Sequence, residues 1–244
     1  MLKARLGLAG ATDSAAMAKG ELKARAQELG FDLLGVAPGS EFPAVPPWAE
    51  SVVVLGMATL DRAFDLELYI EQGGERRWSK WAYERLVAGA ARLSLGLIAA
   101  GHRAQPLTYE DSLSVLDLKV AAVRAGLGVR GLNNLVLVPR FGPRVRFGAV
   151  FTDLELPVDS PRHDYYCTSC SLCIGGCPTG ALGPDGFDRS RCLGEFEPDA
   201  AMADMQREQL DFPTAHTRIQ CAECIMACPI GKRLPTRFWG LDVG

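Results

Sequence analysis

Eight cysteines are the feature that most constrains this 244-residue chain, because none of them occurs before residue 167. The run CTSCSLCIGGCP spaces four of them as C-x2-C-x2-C-x3-C and ends in proline. An isolated cysteine follows, and the run CAECIMACP then repeats C-x2-C-x3-C-P. This pattern indicates a C-terminal module built around metal centres, with four thiols available for each of two sites.

The spacing of the first run is the one that bacterial ferredoxins use to bind 4Fe-4S clusters. Closely spaced thiolates wrap one cubane, while the proline turns the chain away, so that the last cysteine of each run ligates the other cluster. The sequence therefore predicts a first cluster held by Cys167, Cys170, Cys173 and Cys228. It predicts a second cluster held by Cys177, Cys192, Cys221 and Cys224.

Three other uses of these cysteines compete with a redox role. Zinc favours two separated CxxC knuckles around one ion, which does not explain three evenly spaced cysteines or the repeated CP ending. A disulfide framework is typical of small secreted domains, whereas this chain is long enough to bury a core without it. Two clusters could also serve only to hold the module together, but their ferredoxin-like arrangement favours electron transfer.

Charge and hydropathy limit the possible partners. The formal charge of −3 and the isoelectric point near 5.7 argue against a generally basic surface that binds nucleic acid. No apolar run approaches the roughly 20 residues of a membrane-spanning helix, and the N-terminal apolar stretch is too short for a secretory signal. We therefore expect a cytoplasmic protein without a membrane partner.

The cysteine-free part of the chain alternates helical and strand patterns, which predicts an α/β (α+β) domain. Helices are expected over about 14–30, 78–101 and 112–126, with Gly30 and Gly101 ending the first two. FDLLGVAP, SVVVLGMA, NLVLVP and VRFGAVFTD read as short strands. The proline-containing stretch LPVDSPRHD places a domain boundary near residue 160, which gives domains over 1–160 and 161–244.

The segment GLGVRG matches the G-x-G-x-x-G fingerprint of dinucleotide-binding folds. That fingerprint needs a strand before it and a helix after it, and here the order is reversed. The glycines therefore indicate either a tight turn or a close approach of the backbone to a large flat ligand. The nearby basic segment PRFGPRVRFG is expected to be a solvated hairpin, or else a contact for an anionic group.

Taken together, these segments resemble the epoxyqueuosine reductases, which share a core with the reductive dehalogenases. The resemblance rests on LTYEDSLSVLDLKVAAVRAGLGVRGLNNLVLVPRFGPRVRFGAVFTDLEL, CTSCSLCIGGCPTGAL, RCLGEFE and CAECIMACPIGK. It implies a nitroreductase-like domain that binds cobalamin, followed by a ferredoxin-like double-cluster module that passes electrons to cobalt. It also implies contacts to cobalamin from the glycine run, through Gly126, Leu127, Gly128, Val129, Gly131 and Asn133.

The resemblance further implies a proton donor at Asp111, where relatives carry an aspartate ahead of the glycine run. A carboxyl group that faces a flat apolar ring would be desolvated and could donate a proton near neutral pH. The alternative is a helix N-cap that precedes Ser112. Val129 and Leu132 depart from the tryptophan and lysine usual in relatives, and this departure weakens the transfer of a tRNA substrate.

Two functions therefore remain open from the sequence. The first is a cobalamin-dependent reductase that acts on an electrophilic, epoxide-like group of a small molecule or of tRNA. The second is a ferredoxin-type protein that passes electrons to a corrinoid protein or another enzyme without substrate chemistry of its own. Either would need a low-potential donor of the ferredoxin or flavodoxin type, and a flavin in place of cobalamin is a further alternative.

Overall fold

The fold was obtained as a computed structural model that describes residues 11–108, 111–164, 166–194, 200–231, 237–239 and 241–242. These residues form two compact units that interleave along the chain. The sheet unit comprises the described residues within Met1–Met57, Leu86–Leu127 and Phe147–Arg162. The cysteine unit comprises those within Ala58–Arg85, Gly128–Arg146 and His163–Gly244.

Six α-helices and thirteen strands occur in the described residues. The helices are α1 (Ala11–Glu28), α2 (Trp81–Ala99), α3 (Leu118–Arg124), α4 (Leu172–Gly175), α5 (Ala200–Gln209) and α6 (Glu223–Ala227). The first seven strands are β1 (Leu33–Pro38), β2 (Ser51–Ala58), β3 (Leu66–Gln72), β4 (Glu75–Lys80), β5 (Ala104–Pro106), β6 (Val129–Arg130) and β7 (Val136–Leu137). The others are β8 (Val145–Thr152), β9 (Leu182–Gly183), β10 (Gly186–Phe187), β11 (Thr217–Ile219), β12 (Arg237–Phe238) and β13 (Leu241–Asp242).

A four-stranded sheet in the order β1-β2-β8-β5 is the centre of the sheet unit. Both β1 with β2 and β5 with β8 pair antiparallel, and Val36 lies opposite Val53. Residues 52–55 of β2 are fully buried, so this strand is apolar on both faces. Helices α1 and α3 pack against β1, and Leu86 of α2 lies against Gly148 of β8.

The two longer helices of this region end at the predicted glycines. Gly30 has φ 89°, and the next N–H, that of Phe31, donates to the carbonyl of Ala26. Gly101 has φ 95°, and the next N–H, that of His102, donates to the carbonyl of Leu97. In both places a left-handed residue lets the chain turn back and satisfy a terminal carbonyl.

The cysteine unit combines a small sheet with several two-stranded ribbons. Its sheet has the order β11-β3-β4, with both pairings antiparallel. Gly73 and Gly74 join β3 to β4 with φ 64° and 82°, as a tight two-residue hairpin requires. The ribbons are β6 with β7, β9 with β10 and β12 with β13, and α4 packs against α6.

Two predicted helices were too long at their N-terminal ends. The segment that contains Trp78 belongs to strand β4, so the helix begins only at Trp81. The segment Asp111–Leu113 is a 3-10 turn, and α3 begins at Leu118. Asp117 caps α3 by accepting hydrogen bonds from the N–H groups of Lys119 and Val120, so Asp111 is not the N-cap of a helix that begins at Ser112.

The predicted strands are found, as β1, β2, β7 and β8. Fold class is confirmed as a mixed α/β arrangement. The last change of unit along the chain falls between Arg162 and His163, and the division into domains over 1–160 and 161–244 stays a prediction. The described helices include none with the length and apolar character needed to cross a membrane. Residues 1–10, which form half of the segment assessed for a secretory signal, lie outside the described residues.

Candidate functional site

The first cysteine group consists of Cys167, Cys170, Cys173 and Cys228. All four line one surface pocket, together with Leu132, Asn133, Leu137, Thr168, Ser171, Pro229 and Ile230. Left-handed backbone at Ser169 (φ 56°) and Ser171 (φ 59°) bends the first run so that its cysteines turn towards one place. The structure thus brings together three cysteines of the first run and the last cysteine of the second.

The thiols of the first group influence one another electrostatically. Burial raises the pKa of Cys173, and negative charge on Cys167 and Cys228 raises it further. Burial also raises the pKa of Cys228, with additional contributions from Cys170 and Cys167. Four thiolates at this place therefore need positive charge to stabilise them, which iron ions would supply.

The second cysteine group consists of Cys177, Cys192, Cys221 and Cys224. Burial raises the pKa of Cys221 to about 11, and the charges of Cys192 and Cys177 contribute. Burial raises the pKa of Cys224 to about 12, with the charges of Cys221, Cys192 and Cys177 adding to the effect. A cavity of about 430 Å³, lined in part by Arg62 and Gln220, reaches Cys221.

Cys177 differs from the other members of its group. Burial acts to raise its pKa, but hydrogen bonds from the backbone of Leu182, Thr179 and Ala181 and from the Thr179 hydroxyl together lower it. The hydroxyl oxygen of Thr179 lies 3.8 Å from the Cys177 sulphur. These hydrogen bonds to the sulphur therefore stabilise the thiolate form of Cys177.

The packing of α4 against α6 explains why the two groups are mixed between the runs. Gly176 makes the close approach possible, since a Cβ built there would lie 3.2 Å from the Cβ of Ala227. Cys173 lies in α4 and Cys177 just after it, while Cys224 lies in α6 and Cys228 just after it. Each run therefore contributes its final cysteine to the group formed mainly by the other.

None of the eight cysteines forms a disulfide bond. Within the described ranges, no three His, Cys, Asp or Glu side chains converge on a position for a single metal ion. The two groups are thus defined by the shared pocket, by the α4–α6 packing and by mutual charge effects. Their ligation of clusters stays a prediction, which we take up in the proposal below.

The glycine run follows α3 and leads into β6, so its order is helix before strand. A Cβ built at Gly126 would lie 2.5 Å from the carbonyl oxygen of Ser160, and one at Gly128 would lie 2.4 Å from that of Leu137. One at Gly131 would lie 2.9 Å from the Asn133 side chain. Close contacts with the chain's own atoms therefore explain why glycine is present at all three positions.

The other residues expected near cobalamin are also buried. Leu127 lies against Gly35 of β1, and Val129 packs with Leu137 and Cys228. The side-chain oxygen of Asn133 accepts a hydrogen bond from the N–H of Leu135, which closes a local turn. Val129 thus forms part of the wall around the first cysteine group, and the cobalamin contacts themselves stay a prediction.

Asp111 is partly exposed and begins a 3-10 turn in the sheet unit. Its N–H donates to the hydroxyl of Thr108, and its carbonyl accepts hydrogen bonds from Ser114 and Val115. These backbone bonds fix the turn. Its role as proton donor stays a prediction.

The basic segment PRFGPRVRFG, which runs into β8, is not the solvated hairpin that the sequence suggested. Arg140 is exposed, with its guanidinium 5.2 Å from the ring centre of Phe141. Arg144 is only 4% exposed, and Arg146 forms an ion pair with Asp65 at 3.1 Å. Two of the three guanidinium groups are therefore held inside the cysteine unit rather than in solvent.

A buried polar network in the β11-β3-β4 sheet was not anticipated. Glu67 is fully buried and forms ion pairs with Lys80 and Arg218, and Arg218 also donates to Gln206. The alternation in LELYIEQ carries a strand signal, and the dipeptide Gly73-Gly74 carries a hairpin signal that could have located β3 and β4. No local signal pairs β3 with β11, because that contact spans about 150 positions.

Comparison with curated proteins confirms the resemblance predicted from the sequence. The epoxyqueuosine reductase of Shewanella oneidensis is 29% identical over 221 residues, which cover 88% of this chain and 53% of that protein. A tetrachloroethene reductive dehalogenase of Desulfitobacterium hafniense is 29% identical over 169 residues, covering 66% of this chain and 29% of that protein. The chain thus spans about half or less of these relatives, and no protein-family model matches it.

Solved structures show the same two kinds of protein. An epoxyqueuosine reductase from Bacillus subtilis, with its catalytic aspartate loop swung out of the active site, gives a TM-score of 0.65 at 22% identity and covers 91% of this chain and 67% of its own. An epoxyqueuosine reductase with a modified tRNA stem loop gives a TM-score of 0.66 at 22% identity, and the match covers 93% of this chain and 67% of that one. A reductive dehalogenase described with B12-dependent dehalogenation gives a TM-score of 0.55 at 20% identity, and the match covers 73% of this chain and 27% of that one. The chain therefore shares the mixed α/β fold of these proteins.

Proposed function

We propose that this chain is an iron-sulfur reductase that binds two 4Fe-4S clusters and, with cobalamin bound, reduces an electrophilic substrate. The observation that carries the proposal is the division of the eight cysteines into two groups of four, with the final cysteine of each run exchanged. That exchange is the ligation pattern of two-cluster ferredoxins. The similar proteins are reductases by name, which favours an enzyme over a carrier without substrate chemistry.

The chemistry of the thiols fits iron-sulfur clusters. The raised pKa values of Cys221 and Cys224 reflect burial and the charges of their neighbours, so the metal-free site holds protonated thiols. Ligands must lose their protons when iron binds, and the positive iron ions then offset the repulsion among the thiolates. The first group would form one cluster and the second group the other, in a ferredoxin-like module over residues 161–244.

Cobalamin is proposed for the nitroreductase-like domain over residues 1–160. When bound, it would supply a strongly reducing cobalt centre for an electrophilic carbon. Support comes from the similarity to reductive dehalogenases, one of which is described with a B12-dependent mechanism. The glycine run gives no separate support, because its close contacts are made with the chain itself.

Asp111 is proposed as the proton donor. It lies on a turn of the sheet unit, ahead of the glycine run, where the resemblance places a catalytic aspartate. The Bacillus subtilis reductase likewise has an aspartate on a catalytic loop. Hydrogen bonds from Ser114 and Val115 to its carbonyl would hold the turn while the carboxyl group gives up a proton.

The first substrate to test is epoxyqueuosine in a tRNA stem loop, because a similar reductase has been solved with one. The net charge of −3 and the partial coverage of that class argue against a tRNA substrate. Small epoxides are therefore the second class of substrate to test. A low-potential ferredoxin or flavodoxin would supply the electrons. We place this activity in the cytoplasm, where thiols are kept reduced.

The experiment is anaerobic reconstitution of the chain with iron, sulfide and hydroxocobalamin, followed by metal analysis and a visible spectrum. The proposal expects about eight irons and one cobalt per chain. About eight irons without cobalt would remove the cobalamin step and favour an electron-transfer protein instead. Fewer than four irons would contradict both cluster assignments.

A further inference from the structure

Arg144 is a buried cation that contacts the chain segment following Cys228 of the first cysteine group. The residue immediately precedes β8 and is only 4% exposed. Its Nη1 lies 3.4 Å from the carbonyl oxygen of Ile230, two residues beyond Cys228. In the described part of the chain, its Nε has no hydrogen-bond partner.

The backbone around Arg144 is fixed against the segment that follows Cys228. A Cβ built at Gly142 would lie 2.0 Å from the Ile230 carbonyl oxygen, so the two chain segments are in direct contact. The N–H of Arg144 donates to the carbonyl of Phe141, and its own carbonyl accepts from the N–H of Thr59. The backbone of Arg144 is therefore fixed on both sides, and its guanidinium is bonded to the Ile230 carbonyl.

The surroundings of Cys228, whose following segment Arg144 contacts, are apolar. Cys228 packs in one cluster with Val129 and Leu137, and Tyr166 and Ile230 pack against that cluster. A charge acts more strongly in such a low-dielectric region than in water. Burial lowers the pKa of Arg144 and raises the pKa of Cys228, and the charge of each residue acts on the other in the opposite direction.

We propose that Arg144 sets the reduction potential of the cluster held by the first cysteine group. Reduction adds one electron from the external low-potential donor to the cluster, and the guanidinium keeps its proton throughout. Its fixed positive charge stabilises the more negative reduced state, and its Nε–H is a buried donor without a protein partner among the described residues. Net charge and hydrogen bonds to the sulphurs are among the factors that set such potentials. The inference rests on the proposed function only in requiring that this cluster forms.

The test is an anaerobic redox titration of the reconstituted full chain, followed by electron paramagnetic resonance, with the midpoint potentials of both clusters measured. Arg144→Gln is expected to shift the first cluster to a more negative potential while it changes the second cluster less. Arg140→Gln is the matched control, because it removes an exposed guanidinium from the same segment, and it should leave both potentials unchanged. An unchanged first potential in an Arg144→Gln protein that carries both clusters would overturn the proposal.

A second variant covers the case in which Arg144→Gln does not retain the first cluster. Arg144→His makes the charge at this position titratable. The midpoint potential of the first cluster is then expected either to fall as pH rises or, if the histidine is neutral throughout, to lie below that of the unaltered protein at every pH. A potential that stays at the unaltered value across the pH range would overturn the proposal. Failure of the cluster assignment looks different, because the unaltered protein would then show no cluster signal, whereas failure of the cobalamin step alone would leave both cluster signals in place.

Discussion

Glu67 and Arg218 lie directly opposite each other on the paired strands β3 and β11, and their side chains form a buried ion pair. Glu67 is also opposite Lys80 of β4, and the Lys80 ammonium lies 3.2 Å from the other oxygen of the carboxylate. One fully buried carboxylate therefore joins the three strands of the sheet in the cysteine unit. The β11 strand ends at Ile219, two residues before Cys221, so this ion pair fixes the approach to the second cysteine group.

Glu67→Gln is expected to lower the stability of the cysteine unit by about 3–5 kcal/mol, because two buried cations would face a neutral amide. Glu28→Gln is a matched control, since Glu28 pairs with Arg25 on the exposed surface of α1, and an exposed pair contributes about 1 kcal/mol or less. Circular dichroism during thermal unfolding of identically prepared proteins measures the difference. Equal melting temperatures for the two variants would show that the buried pair contributes no more than a surface pair.

If the last cysteine of each run ligates the cluster held mainly by the other run, the iron content and spectrum of each cysteine variant show which cluster it has lost. Cys228→Ala should lose the cluster of Cys167, Cys170 and Cys173 and keep the other, leaving about four irons per chain. Cys177→Ala should instead give the same paramagnetic spectrum as Cys221→Ala, because both belong to the second group. A Cys177→Ala spectrum that matches Cys170→Ala would mean that each run holds its own cluster, contrary to the grouping in the structure.

Much of the cysteine arrangement could be predicted from the sequence because it follows from short spacings. C-x2-C and C-x3-C-P restrict which thiols reach one point, and the structure groups Cys173 with Cys228 accordingly. The glycine stops at Gly30 and Gly101 were predictable for a similar reason, since each depends on the local backbone alone.

Features that depend on distant contacts were not predictable in this way. The basic segment gave no sign that Arg144 would be buried, because its cover comes from the segment around Ile230. The pairing of β3 with β11 likewise joins positions about 150 apart. Strand β4 and helix α2 are contiguous, so their boundary at Trp81 is set by the hairpin partner of β4 and not by a break in the sequence pattern.

The thiols of the second group should differ in reactivity in the metal-free protein. Cys224, with its pKa raised to about 12, would hold a thiolate fraction of ~10⁻⁴ at pH 8. The lowered pKa of Cys177 leaves a much larger thiolate fraction at the same pH. Because the thiolate is the nucleophile, iodoacetamide should modify Cys177 before Cys224, and the Cys224 rate should keep rising up to about pH 12. Mass spectrometry of timed samples measures both rates, and faster modification of Cys224 at pH 8 would contradict this order.

Asp111→Asn should abolish turnover of the epoxyqueuosine stem loop, because an amide cannot donate the proton assigned to this carboxyl group. The variant should keep the iron content and the visible spectrum of the unaltered protein. Asp117→Asn is the matched control, since asparagine caps a helix as well as aspartate does and Asp117 only caps α3. Rates are measured by following loss of the epoxide with a chemical reductant. Full activity of Asp111→Asn would assign the proton to another group.

Gly128→Ala should weaken the wall around the first cysteine group. The new Cβ would lie 2.4 Å from the Leu137 carbonyl oxygen and 2.8 Å from a methyl carbon of Val136, so β7 would have to move. Leu137 packs with Cys228, and the shift should therefore reduce incorporation of the first cluster. Overpacking of this kind costs about 1–3 kcal/mol.

Gly96→Ala is the matched control for this substitution, because a Cβ at Gly96 has no neighbour within 4 Å. Its position inside α2 means that alanine should stabilise the protein by up to about 1 kcal/mol through helix propensity. Iron content and thermal unfolding of both variants test the prediction. Gly128→Ala could instead keep both clusters and have the same melting temperature as Gly96→Ala. In that case β7 can move away without disturbing Cys228, and the wall formed by Leu137 is not needed to assemble the first cluster.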